Sequence, residues 1–319
     1  YSGNEDVLLK TRLLKLDCHF TWDLKKTDTD LSDLQQRIED DINLYLEKKV
    51  EIKYLFNFLA FTKYLQDLPE EALENLKKAE EICKCNKEAC GKMLVVTYGD
   101  FAWLYYHMGD YSASQRYLAK LEEVKKQFPP SVLQAAVCGE KGWNFLRYSR
   151  KYYEKAKECF QKALDMEPDD SDWNAGYAFT LYRTESDATC AEDSQAIKHL
   201  RRALELNPDD ARIMALLGLR LFLYQKKSPT VAIKHYREAS KLHKDTKDGK
   251  KCLDKLKSLA EKCIAENSKD DKAFAILGYV HQMRDEKREA IECYEKALSL
   301  DPKNEEYLTA LCDVQLSLN

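Results

Sequence analysis

The chain repeats one arrangement of small, large and polar positions. In 155–168 ("KAKECFQKALDMEP"), 195–208 ("QAIKHLRRALELNP") and 289–302 ("EAIECYEKALSLDP"), alanine, a large apolar residue, alanine and proline stand at offsets 0, 4, 7 and 12, with mostly charged residues between them. Offsets 0, 4 and 7 share one face of an α-helix. Alanines two turns apart let a neighbouring helix come close, while Phe160, Leu200 or Tyr294 fills the gap between them. The proline stops the helix after its last turn. A second helical pattern precedes each copy, as in "DKAFAILGYVHQM", where Gly278 marks the crossing of two helices. Weaker copies carry Ala72 and Ala79, Gly109 with Ser114 in an alanine place, and Gly218 with Ala232 and Ala239. Six helix pairs are predicted, near 53–86, 95–128, 137–170, 172–210, 211–244 and 271–304. An extra helix at 248–267 interrupts them, and 304–319 reads as a terminal cap.

This pattern resembles the tetratricopeptide repeat, most fully in "FAILGYVHQMRDEKREAIECYEKALSLDP". The resemblance implies an all-α, right-handed superhelix, an α-α solenoid whose inner surface is lined by the first helix of each pair. The expected organisation is an N-terminal helical cap over 1–50, repeats one to five over 51–244, a linker helix over 245–270, and the last repeat with its capping helix over 271–319. Such arrays commonly bind peptides. The co-chaperone type grips a terminal carboxylate with Lys and Asn, but the equivalent places here are Asn57, Phe61 and Asp100, which argues against that clamp.

Composition narrows the classes further. Ten glycines and seven prolines among 319 residues give little of the turn punctuation that many strands need, so the chain is expected to be nearly all helix. A net charge of −4 offers no overall field for nucleic acid or acidic lipid, so any such affinity has to come from a local basic lining. No DNA partner is expected, and no membrane partner either, the latter because the most apolar run, "IMALLGLRLFLY", is short and carries Arg220. The eleven cysteines, an odd number scattered over helical segments, suit a reducing cytosol better than a disulfide framework. "CKCNKEAC" (Cys83, Cys85, Cys90) lacks a fourth ligand at regular spacing, so no metal or other cofactor is expected. Phosphate-binding glycine motifs and paired-histidine zinc motifs do not occur, and the six histidines are dispersed, so no enzyme is expected.

A sharper resemblance rests on "LLKLDCHFTWDL" (13–24), "YGDFAWLYYHMGDYSASQRY", "CGEKGWNFLRYSRKYYEKAKECFQKALDMEPDD", "WNAGYAFTLYR" and "EEYLTALCDVQLSL". In these segments the chain is similar to the interferon-induced proteins with tetratricopeptide repeats, colinearly over 8–220 and again over about 228–318. Full-length members carry several more repeats between those two segments, whereas this chain runs straight from "RLFLYQ" to "KKSPTVAIKHY", so it resembles a short or internally deleted member. The resemblance implies a cytoplasmic antiviral effector of innate immunity, with single-stranded RNA bound by its 5′-triphosphate or incompletely methylated cap in a basic inner groove. In long members the C-terminal half closes that groove into a tunnel. The alternative is an interaction scaffold that joins family members or signalling proteins without RNA.

Carried over by position, the resemblance places a phosphate grip on Arg147, Tyr153 and Arg183, with Arg37 assisting. Asp41 stands where the family has Gln, and a carboxylate is a poor neighbour for a triphosphate. The chemistry is compatible: guanidinium groups suit phosphate oxygens, and Trp143, four residues before Arg147, is a candidate for base or cap stacking. Each residue has a second reading. Trp143 occupies a place where these repeats bury a large residue, Tyr152 or Tyr153 is core, Arg150, Lys151 and Lys155 are solvated surface, and Arg147 and Arg183 are ion-paired across the groove. In "YLTAL", Tyr307 and Leu311 resemble a Y-x-x-x-L dimer motif, for a homodimer or a hetero-oligomer with family members. A capping helix would bury the same pair against repeat six.

Overall fold

The computed structural model describes residues 2–46, 49–186, 189, 192–224 and 247–318. Helices α1 (Gly3–Leu14), α2 (Leu31–Leu44), α3 (Lys49–Leu65), α4 (Pro69–Cys85), α5 (Lys87–Cys90), α6 (Leu94–His107), α7 (Tyr111–Gln127), α8 (Pro130–Tyr148), α9 (Tyr153–Met166) and α10 (Ser171–Thr184) form one compact unit, Tyr1–Thr189. The second unit, Cys190–Asn319, holds α11 (Gln195–Leu206), α12 (Ala211–Tyr224), α13 (Lys247–Glu266), α14 (Asp271–Met283), α15 (Lys287–Leu300) and α16 (Glu305–Leu316). The boundary falls inside the fourth expected repeat, whose two helices are separated by 185–194 where α6 and α7 are separated by 108–110. The second helix expected for repeat five, over 225–244, and the junction "YQKKSP" from 225 onward lie outside the described residues.

Short polar side chains set the helix starts. Asp110, Asp170, Ser194, Asp270 and Asn304 each accept a hydrogen bond from the backbone amide three residues on, satisfying a donor the first turn leaves open. After the repeat prolines, Asp170 and Asn304 supply these caps two residues later, so "P-x-D" and "P-x-N" stop one helix and start the next. The tight turns inside pairs need a left-handed residue, met by Gly109 (φ 81°) and by Asp67 (φ 63°) and Asp285 (φ 59°).

The repeat residues pack as their spacing predicts. Phe160 is fully buried between Gly142 of α8 and Gly176 of α10: a Cβ at Gly176 would lie 2.3 Å from its ring and one at Gly142 2.9 Å. In the second unit Tyr294 takes the same place against Gly278. Ala156, Ala163, Ala290 and Ala297, flanking these rings, are also completely buried.

The N-terminal segment is more than an end cap. Residues 18–22 thread against the first helices of three pairs, with Cys18, His19 and Trp22 in the core. His19 binds Asp100 of α6 through Nδ1 (2.7 Å), its Nε2 meets Asn144 of α8 (3.0 Å), and its ring lies 5.8 Å from that of Phe58 of α3. Asn57 donates to Glu140 (2.8 Å), and Phe61 packs on Phe20. The clamp positions are therefore filled from within the chain.

Among the described residues, no helix is long and apolar enough to cross a membrane, and no group of three His, Cys, Asp or Glu side chains is placed to hold a metal ion. The Cys83 thiol is buried and directed at the Cys90 carbonyl (3.4 Å), while Cys85 is exposed.

Candidate nucleic-acid interface

All four positions expected at the phosphate grip belong to the first unit. Arg147 is in the last turn of α8, where the apolar spacing of "GWNFL" has already turned Trp143 and Leu146 inward and leaves the guanidinium half-buried. It lies over the Trp143 ring, 5.0 Å from the centroid, and its Nε donates to Asp41 of α2 (3.3 Å). Arg37, one turn before Asp41, donates through Nη1 to the Arg147 carbonyl (2.9 Å), a capping bond on the open end of α8, and through Nε to Asp33 (2.9 Å). Arg37 is thus first a positioning residue that ties α2 to the end of α8.

Arg183 closes α10 and is exposed, with its guanidinium 5.2 Å from the Phe179 centroid. Phe179 is itself 6.4 Å from Trp143. Arg147, Trp143, Phe179 and Arg183 therefore form a ladder of cation and ring that joins α8 to α10. Among the described residues no carboxylate pairs with Arg183. The Arg147–Asp41 pair leaves 20% and 37% of its side chains exposed, and a pair so placed contributes at most about 1 kcal/mol, little enough for a phosphate to displace.

The tyrosine doublet divides. Tyr152 is buried and its hydroxyl donates to Asp28 (2.7 Å) and accepts from the Lys25 amide (3.1 Å), fastening the N-terminal strap. Burial, first of all, raises its pKa, and Lys151 ahead of Tyr152 holds the Asp28 carboxyl below its usual range. Tyr153 opens α9 half-buried, beside the amide-rich end of a helix where an anion is favoured. Lys151 is exposed and paired with Asp28 (2.8 Å), and Lys155 lies 5.2 Å from the Tyr152 ring.

Two expectations are corrected. Trp143 is 5% exposed: Arg147 covers the ring, Phe160 meets it edge-on at 5.5 Å, and its indole N–H donates to Asp172 (3.1 Å), so the packed ring has no open face for a base or cap. Tyr307 and Leu311 turn inward. Tyr307 packs against Ala275 and Ala297 and donates to Asp271 (2.8 Å), and Leu311 packs against Ala290 and Tyr294, because α16 has to cover the open face of the last pair. Neither side chain is open to a second chain. The residue missed from sequence is Phe179. Its offset of four from Arg183 is a usable signal, but nothing in the sequence shows that it reaches Trp143.

Tetratricopeptide-repeat models match 147–170, 194–245 and 272–304. Human IFIT1 homolog B is 39% identical over 225 residues, which is 68% of this chain and 47% of that protein. The human interferon-induced protein with tetratricopeptide repeats 2 is 30% identical over 306 residues, 95% of this chain and 59% of that protein. The chain thus spans about half the length of the curated relatives it matches. The solved human IFIT1 dimer with m7Gppp-AAAA superposes with a TM-score of 0.63 and 30% identity, over 97% of this chain and 74% of that one. A second human IFIT1 dimer, with PPP-AAAA, gives 0.61 at 30% identity over 97% and 73%. With tetratricopeptide-repeat models matching three segments and a 30%-identical structural match that covers 97% of the chain, the chain is a tetratricopeptide α-solenoid and belongs to the interferon-induced proteins with tetratricopeptide repeats.

Proposed function

We propose that this chain is a non-enzymatic antiviral effector of the cytoplasm that binds single-stranded RNA by its 5′ end, with Arg147, Tyr153 and Arg183 at the phosphates, Arg37 holding Arg147 in place, and Phe179 as the accessible ring. The observation that carries the reading is the ladder Arg147–Trp143–Phe179–Arg183, which presents two guanidinium groups on adjoining helices where packing alone requires neither. Guanidinium groups meet phosphate oxygens with paired hydrogen bonds, and ring stacking adds ~1–3 kcal/mol per base. The IFIT1 structures with m7Gppp-AAAA and PPP-AAAA support the same ligand class. The test compares one short RNA with a capped, a triphosphate and a hydroxyl 5′ end. Capped and triphosphate forms bind more tightly than the hydroxyl form, and Arg183→Glu abolishes the difference. Equal, weak binding of all three by the unaltered protein sinks the reading.

One observation favours a second reading: Arg147 is already paired with Asp41. In that reading the array is a scaffold for a second copy or for other family members, and sedimentation shows a complex whose formation Arg183→Glu leaves untouched. With Tyr307 and Leu311 buried, that contact uses other residues.

A further inference from the structure

The carboxylates around the grip bear on which 5′ end suits it, an inference that rests on the RNA-end reading above. Arg37 is bound to Asp33, Arg147 is bound to Asp41, and Asp172 accepts from the indole on which Arg147 lies. Of the three arginines, only Arg183 has no carboxylate partner among the described residues. The three guanidinium groups and the two carboxylates paired with them leave a single net positive charge. A free 5′-triphosphate brings two inner phosphates and a terminal one that carries close to two negative charges at neutral pH. Laid against Arg147, it comes within a few ångströms of the Asp41 carboxylate, in a place only partly open to water. A methylguanosine cap differs in two respects: its third phosphate is bridged and holds one charge, and its ring is cationic.

We propose that Asp41 is a specificity-determining residue, whose carboxylate on Arg147 disfavours a free 5′-triphosphate and leaves a capped end as the preferred occupant. Asp41 acts on the ligand in two ways. It neutralises the guanidinium that would otherwise meet the first phosphates, and it repels the extra charge of the terminal one. At an effective dielectric between that of a protein surface and that of water, one extra unit charge some 6 Å away changes affinity by on the order of tenfold.

The experiment measures binding of HO-AAAA, PPP-AAAA and m7Gppp-AAAA at one fixed salt concentration to the full chain and to Asp41→Asn, Asp41→Gln and Arg183→Glu. The unaltered protein is expected to hold m7Gppp-AAAA about tenfold more tightly than PPP-AAAA. Both carboxamide variants raise affinity for PPP-AAAA by about tenfold and leave HO-AAAA within about twofold, and the use of two side-chain lengths guards against a local misfit. The assignment is overturned if both carboxamides leave the ratio of PPP-AAAA to m7Gppp-AAAA binding unchanged while Arg183→Glu still weakens capped or triphosphate RNA. If the three RNAs bind alike to the unaltered protein and to Arg183→Glu, the RNA-end reading falls, and the role of Asp41 falls with it.

Discussion

Gly176→Ala sets two elementary effects against each other. Gly176 is inside α10, where alanine is the better helix former by about 0.5–1 kcal/mol, so propensity alone predicts a stabilised protein. The packing predicts the reverse. The added methyl would lie 2.3 Å from Cε1 and Cζ of Phe160, against the 3.5–4.0 Å that carbon atoms prefer, so the ring has to retreat by more than about 1 Å. It has nowhere to go, since its other side faces Gly142, where a Cβ would already stand at 2.9 Å, and its edge meets Trp143. Overpacking of this kind costs about 1–3 kcal/mol. After subtracting the propensity gain, the variant should be less stable by about 1–2 kcal/mol, lowering the melting temperature by roughly 2–8 °C for a unit of this size. Chemical denaturation and thermal melting of the full chain measure it, with Gly3→Ala, where a methyl meets nothing within 4 Å, as the control that should be neutral or better. Phe160→Leu should recover part of the loss when combined with Gly176→Ala, so the two changes are strongly non-additive. If Gly176→Ala stabilises the protein, or if its effect simply adds to that of Phe160→Leu, the wedge of Phe160 between two glycines is not what holds α8, α9 and α10 together. Because Phe160 abuts Trp143, the same variant should also disturb Arg147 and weaken RNA-end binding.

Two further outcomes follow from adjacent or repeated residues with different surroundings. Tyr152→Phe removes hydroxyl contacts to Asp28 and to the Lys25 amide and should destabilise the first unit by about 1 kcal/mol, measured by denaturation, whereas Tyr153→Phe should leave stability within about 0.5 kcal/mol and change only RNA binding. For the thiols, burial pushes Cys159 up to about 12 and Cys293 up to about 11 and raises Cys18, so at pH 8 a maleimide should label exposed Cys85 and Cys312 within minutes while Cys18 and Cys159 react only when denaturant is added; rapid labelling of Cys159 in the folded protein would contradict its packing.

Among the described residues, the sequence by itself determined the helix pairs. Alanine at offsets 0 and 7, a large residue at 4 and proline at 12 are local properties of one helix, so the burial of Ala156, Phe160 and Ala163 and the crossing at Gly278 were readable without a neighbour in view. Which face a neighbour covers is not local, and the tertiary structure alone decided it. Tyr307 and Leu311 share a face by spacing, yet only the packing of α16 on the last pair shows that this face is the inner one. Tyr152 and Tyr153 are neighbours in sequence, and the short 3-10 turn at Arg150–Tyr152 determines which of them reaches the N-terminal strap. Arg37 meets the carbonyl of a residue 110 positions away, and Trp143 meets Phe179 across two helices, contacts that no periodicity within either helix encodes. The candidate residues came from the chain, and the charges that face them, Asp41 above all, take their meaning from the fold.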